Sequence, residues 1–266
     1  AKWIKVIEPS EAMLDRIAKE EFNAVVRAYV YGNWFNGPHF EYFLDKIAAY
    51  LPPEKRIVQP YNEVNIPYEV NNQYRSPEDH SYNNLWPFIA LAANYETKTI
   101  MTPLSQDNNT IIRPGEKIGE YEFYERMVKA VIEKAREEGK DERWIRRYIA
   151  VGIHNYIHAN PDGWLTHINK IDEITQRYVE GGLDFYILEA APYGDDKSIK
   201  TGLINRFLDL ELPLSWGGRC KAYFFWLYKP GQKGEYRNNA WRDGEGDTIF
   251  KGVAGREKVT FANKRW

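Results

Sequence analysis

The sequence predicts an α/β protein on a mainly parallel sheet, of the length that a (β/α)8 TIM barrel commonly takes as one domain. Three observations carry that expectation. Short apolar runs alternate with longer segments of helical period from Trp3 to Tyr228. No Gly-rich phosphate loop follows the first apolar run, so the nucleotide-binding sheets lose ground. The chain has 266 residues, 43% of them apolar, enough for a sizeable core.

The elements follow in order. Trp3–Ile7 reads as the first strand, and Ser10 is a plausible N-cap for a helix carrying Met13, Leu14, Ile17 and Ala18 on one face. Ala24–Val30 is the second strand. Phe43, Leu44, Ile47, Ala48 and Leu51 mark the next helix, which Pro52-Pro53 ends. Ile57–Glu63 is the third strand, with Pro60 inside it. A polar loop leads to a helix near Asn83–Tyr95 and a strand over Thr99–Leu104. The clearest helix is Glu120–Glu138, whose Phe123, Met127, Val128, Val131, Ile132 and Ala135 form one stripe before Gly139. Arg136–Arg147 reads as a solvated helix end and turn. Tyr148–His154 is a strand, and Leu165, Ile168, Ile171, Ile174 and Tyr178 lie on one helix face. Phe185–Glu189, a helix near Ser198–Leu210 and a strand over Ala222–Tyr228 complete the pattern. Residues 1–266 are expected to form a single barrel domain, with 230–266 an irregular C-terminal segment.

Composition narrows the function. Formal net charge is −2, so nothing electrostatic argues for nucleic acid or an anionic membrane. No run approaches the ~20 apolar residues of a membrane span. A single cysteine excludes an intrachain disulfide scaffold and any multi-Cys zinc site. Aromatics reach 15%, including 9 Trp, which suits either a large core or a groove for flat sugar rings. The chain opens on Ala1 with no recognisable signal peptide, and is expected to be processed or truncated there.

Two carboxylates end expected strands: Glu63 and Glu189. Strand alternation puts Phe185, Ile187 and Glu189 on one face, in line with core residues. At the C-terminal strand ends of a parallel barrel, facing carboxylates suit glycosidic cleavage, one protonating the leaving oxygen and the other attacking or activating water. On position alone, each could equally be a solvated residue beyond a strand end.

Asn62-Glu63 at a strand end resembles the Asn-Glu signature of the clan A glycoside hydrolases. That resemblance implies that Glu63, ending barrel strand four, is the acid/base. Counting onward makes Phe185–Glu189 strand seven and puts Glu189 where the clan's nucleophile belongs. It further implies that Asn62 binds the hydroxyl beside the reacting carbon, and that His154 and Tyr156 contact the nucleophile or substrate. Trp226 would stack under the sugar. Arg27 could hydrogen-bond a catalytic carboxylate or make a structural ion pair. Val64 stands where the clan often has Pro. Only two strands precede Glu63 where the clan has three, so the barrel is expected to lack its first strand or have it truncated.

The resulting expectation is a retaining hydrolase of a β-linked oligo- or polysaccharide, secreted, and needing no metal or organic cofactor. A non-catalytic glycan-binding or degenerate barrel is the alternative. An aldolase or phosphosugar isomerase ranks third, because Lys5 is the only lysine inside an expected barrel strand. His154 and His158 share the i, i+4 spacing of half a zinc motif but lack its Glu and its helix. Asp107 and Asn108, the loop residues Tyr68, Glu69, Tyr74 and His80, and Trp34, Trp86, Trp164, Trp216 and Trp241 are further candidates for substrate contact. Cys220 reads as a small buried residue.

Overall fold

The computed structural model describes residues 3–28, 30–71, 75–106, 110–157, 161–192 and 216–225. The chain starts with β1 (Trp3–Ile7), α1 (Glu11–Lys19), β2 (Asn23–Arg27), α2 (Gly37–Tyr50) and β3 (Ile57–Gln59). Then come α3 (Pro77–His80), α4 (Trp86–Asn94), β4 (Lys98–Met101), a hairpin of β5 (Thr110–Arg113) and β6 (Glu116–Ile118), and α5 (Glu120–Glu137). The remaining elements are α6 (Glu142–Tyr148), β7 (Ile149–Ile157), α7 (Pro161–Tyr178), β8 (Phe185–Pro192) and β9 (Cys220–Phe225). Ser10 caps α1 as expected, its hydroxyl accepting from Met13 N at 3.3 Å.

Seven parallel strands form one sheet in the order β1-β2-β3-β4-β7-β8-β9. The sheet is a nearly closed barrel, with β1 returning beside β9. Side chains of β1 reach past β9 to β8: Trp3 meets Tyr186 edge-on at 5.7 Å, and Lys5 Nζ donates to Leu188 O at 3.3 Å. All seven strands coincide with strands expected from the sequence.

Alternation sorts each strand into two apolar layers. Val26, Val58, Met101, Val151, Ile153 and Ile187 face outward and join Leu14, Phe43, Ile47, Phe88, Met127, Val131 and Ile171 of the helices in one cluster. Each fully buried side chain of this size contributes about 1.5–3 kcal/mol. Val25, Ile57, Ile100, Ala150, Tyr186, Leu188 and Ala222 form a second, inner cluster, against which Trp3 and Phe224 pack. Gly152 shares the inward face of β7, where a Cβ would lie 2.8 Å from Leu188 Cδ1 and 2.9 Å from Met101 O.

Four local differences from the sequence reading have physical causes. β3 stops at Gln59, because Pro60 has no N–H for the ladder. The helical segment before β4 starts at Pro77 rather than near Asn83. Its start carries a readable signal in Ser76, whose hydroxyl accepts from Asp79 N at 3.1 Å, followed by Pro77 and Glu78. Between α3 and α4 the turns widen to a π-helix over Ser81–Leu85, just ahead of Pro87, whose ring cannot fit an ordinary helical turn. The charged stretch after α5 forms the short helix α6, capped by Asp141, whose carboxylate accepts from Trp144 N at 2.7 Å. The expected helix near Ser198–Leu210, residues 230–266 and the end of the last strand lie outside the described residues.

The face of Glu189 also differs. Phe185 and Ile187 do lie together, but in the outer layer with the helices, while Tyr186 and Leu188 are inside. Strict alternation would therefore turn Glu189 outward. A β-bulge intervenes: Ile187 pairs with Ile153, yet Glu189 pairs with the very next residue, His154. Leu188 is the extra residue, and Glu189 is re-aimed into the barrel.

Candidate active site

Glu63 sits four residues beyond the end of β3, at a sharp turn. Its φ is +34°, a left-handed conformation that carries strain for a residue with a side chain. Two backbone bonds hold it: Glu63 N donates to Pro103 O at 3.0 Å, and Ile66 N donates to Glu63 O at 3.0 Å. The first ties the turn to the chain leaving β4. Asn65 reinforces that tie by exchanging two 2.8 Å bonds with the backbone of Ser105.

His154, fully buried on β7, stands between the two carboxylates. Its Nδ1 is 2.9 Å from Glu63 Oε1, and its Nε2 is 3.7 Å from Glu189 Oε1. The backbone of His154 is anchored from behind by His167 on α7. His167 Nε2 donates to His154 O at 3.2 Å, and its Nδ1 accepts from Tyr121 Oη at 3.0 Å. Burial depresses the His167 pKa to about 4, so it serves as a neutral donor at neutral pH.

Glu189 collects four partners from three strands. Lys5 of β1 donates to Oε1 at 3.2 Å, and Arg27 of β2 brings Nη1 to 3.9 Å from the same oxygen. Tyr156 of β7 donates to Oε2 at 2.5 Å, and His154 supplies the imidazole contact. Burial pushes the Glu189 carboxyl upward. The imidazole of His154, then Lys5, the Tyr156 hydroxyl and Arg27 outweigh it and hold the pKa down to about 2. Lys5 itself is lowered, chiefly by burial and against the pull of Glu189. The result is a buried carboxylate kept ionised by groups on β1, β2 and β7.

Asn62 is equally constrained. Its Oδ1 accepts from Gln59 Nε2 at 3.2 Å, and its Nδ2 reaches Glu69 Oε1 at 3.5 Å. Asn33 clamps the Asn62 backbone from both sides, accepting from Asn62 N at 3.2 Å and donating to Asn62 O at 2.9 Å. Glu69 is half-buried, and its pKa is raised, first by burial and then by Glu63, against the opposing effect of Arg27.

Six of the seven residues singled out from the sequence are described. Glu63, Glu189, His154, Tyr156 and Arg27 converge on one cluster, and Asn62 adjoins it through Glu63. Trp226 lies outside the described residues, as do Asp107, Asn108, Tyr74, Trp241 and His158. His80 is buried against Thr102, 2.8 Å away, rather than on the rim. Trp86 and Trp216 are core residues whose indole N–H groups bond Glu138 and Asn169. Cys220 is buried, and burial raises its thiol to about 12. No group of three or more candidate metal ligands occurs among the described residues. Sequence reasoning gave Lys5, Gln59 and Asn33 no part in this site. The signal for Lys5 was present: it shares the inward strand face with Trp3.

The nearly closed barrel has solved counterparts. A GH128 subgroup II endo-β-1,3-glucanase from Sorangium cellulosum aligns at TM-score 0.58 and 14% identity, covering 92% of this chain and 85% of that one. A GH128 subgroup VI exo-β-1,3-glucanase from Aureobasidium namibiae aligns at TM-score 0.61 and 10% identity, covering 96% and 98%. A family 51 α-L-arabinofuranosidase from Bifidobacterium longum gives 0.53 and 10%, covering 81% and 49%. These likenesses establish the fold, a nearly closed parallel β/α barrel. No family model and no curated protein matches the sequence.

Proposed function

We propose that the chain is a retaining glycoside hydrolase acting on a β-linked glucan. The observation that carries the reading is the single buried imidazole of His154, set against Glu63 on one side and Glu189 on the other. In this reading Glu189 attacks the anomeric carbon while Glu63 protonates the departing oxygen. A covalent glycosyl-enzyme forms. Glu63 then takes a proton from water, and the water oxygen displaces Glu189, restoring the starting configuration. The ionised state of Glu189 suits the nucleophile, because the attacking oxygen must carry the charge. Tyr156 and Lys5 fix the rotamer, and the role proposed for Asn62 is to bind the hydroxyl next to the reacting carbon. The names of the two GH128 neighbours make β-1,3-glucan the first substrate to try. A polymeric substrate fits a secreted protein.

The test is hydrolysis of soluble β-glucans and aryl β-glucosides by the wild type, Glu63→Gln and Glu189→Gln. Glu189→Gln is expected to lose about 10⁴-fold or more in kcat on every substrate. Glu63→Gln is expected to lose about 10²–10⁴-fold on glucans, and far less on aryl glucosides whose leaving group needs no proton. Glycan binding without turnover would favour the binding-protein alternative.

A further inference from the structure

Trp34 is an exposed tryptophan that the fold holds still. It is 44% exposed, whereas Trp86 and Trp216 are buried. Leaving an indole face in water forgoes the stabilisation that its burial would bring. Yet the turn that presents it is built with unusual care. Gly32 and Asn33 before it both take left-handed conformations, with φ of +70° and +53°. The buried Arg75 donates to Asn33 O at 2.6 Å and to Gly32 O at 3.0 Å. The same guanidinium lies 4.0 Å from the Trp34 ring centroid, a cation–π contact that fixes the ring.

This turn is wired to the candidate active site. Asn33 Nδ2, besides bonding Asn62 O, donates to Glu69 O at 2.8 Å. Glu69 in turn places a carboxylate oxygen 3.5 Å from Asn62 Nδ2. Asn33 therefore links the turn that carries the partly exposed Trp34, the half-buried carboxylate of Glu69 and the residue before Glu63. A flat apolar ring beside a hydrogen-bond acceptor is the chemistry that recognises a pyranose, with C–H bonds on one face and hydroxyls at its edge.

We infer that Trp34 and Glu69 form a second sugar subsite beside the reacting one, with Trp34 stacking on a ring of the glycan and Glu69 accepting its hydroxyls. The subsite rests on the glycosidase reading and deepens it: the substrate spans at least two sugars, and the non-reacting one binds beyond the C-terminal end of β2. Arg75 and Asn33 are positioning residues, holding the platform without touching the ligand.

The experiment measures kcat and KM on laminarihexaose and cellohexaose for the wild type, Trp34→Ala, Trp34→Phe and Glu69→Gln, with Tyr42→Ala as a control for an exposed ring elsewhere. Trp34→Ala is expected to raise KM about ten-fold with kcat within about two-fold. Trp34→Phe keeps a ring and should recover most of that loss, and Glu69→Gln should raise KM about five-fold. Tyr42→Ala should change nothing. Unchanged KM in both Trp34→Ala and Glu69→Gln, or a loss confined to kcat, overturns the subsite while leaving the hydrolase reading intact. A wild type that binds but does not cleave overturns the hydrolase reading alone. The same ten-fold change, read then on Kd, sustains the subsite, and an unchanged Kd overturns it. A wild type that neither binds nor cleaves either hexasaccharide overturns both.

Discussion

Glu189 shows what one residue owes to its neighbours. A buried carboxylate alone would take up a proton, and Lys5, Arg27, Tyr156 and His154 reverse that tendency. The sign of the pH effect follows. With its pKa lowered from 4.5 to about 2, the native state binds fewer protons than the unfolded chain in that interval. Glu189 thus contributes stability that is fully present above pH ~4.5 and lost as pH falls toward ~2. Lys5→Met removes one partner of a buried ion pair and should cost about 3–5 kcal/mol near neutral pH. Urea unfolding at several pH values checks this: the wild-type and variant stabilities should converge as pH falls from 6 toward 2. A gap that stays constant with pH would mean that Lys5 contributes only its aliphatic stem. Glu63 and Glu189 stood out in the sequence because each closes an expected strand, Glu63 directly after Asn62. Lys5 was harder to assign, because its partner lies 184 residues away and reaches it only through barrel closure.

Among the elements, β8 carries the decisive irregularity. Its bulge at Leu188 turns Glu189 inward, and β7 supplies the space with Gly152. Gly152→Ala would drive a methyl against Met101 O, which is backbone and cannot swing aside, and against Leu188 Cδ1 on the bulge itself. The expected cost is about 1–3 kcal/mol of stability, with kcat falling as Glu189 shifts. Thermal unfolding and kinetics on the purified variant check both. A variant with wild-type stability and activity would mean that the bulge does not depend on this close contact. The bulge was not legible: period-two alternation predicts the opposite face for Glu189, and only the pairing with β7 reveals the extra residue. The hairpin β5–β6 was also missed. Its strands are short, and the one sign was Pro114-Gly115, where Gly115 takes φ +80°.

For the whole molecule, the strand pattern was the most legible feature, because parallel barrel strands are buried on both faces and read as continuous apolar runs. Counting those runs puts Glu63 and Glu189 three sheet positions apart, and the sheet order keeps that spacing. Seven strands were expected and seven form the sheet among the described residues; how they meet at the seam was not legible. There, Trp3 and Lys5 of β1 reach β8, so the strand that helps close the barrel also delivers a cation to the candidate nucleophile. In the proposed mechanism Glu189 forms a covalent bond to the sugar. Incubation with a 2-deoxy-2-fluoro-β-glucoside bearing a good leaving group, followed by peptide mass spectrometry, tests this step. One glycosyl label per chain is expected on the peptide containing Glu189, and none in Glu189→Gln. A label on another carboxylate, or no label on an enzyme that hydrolyses the parent glucoside, would contradict it.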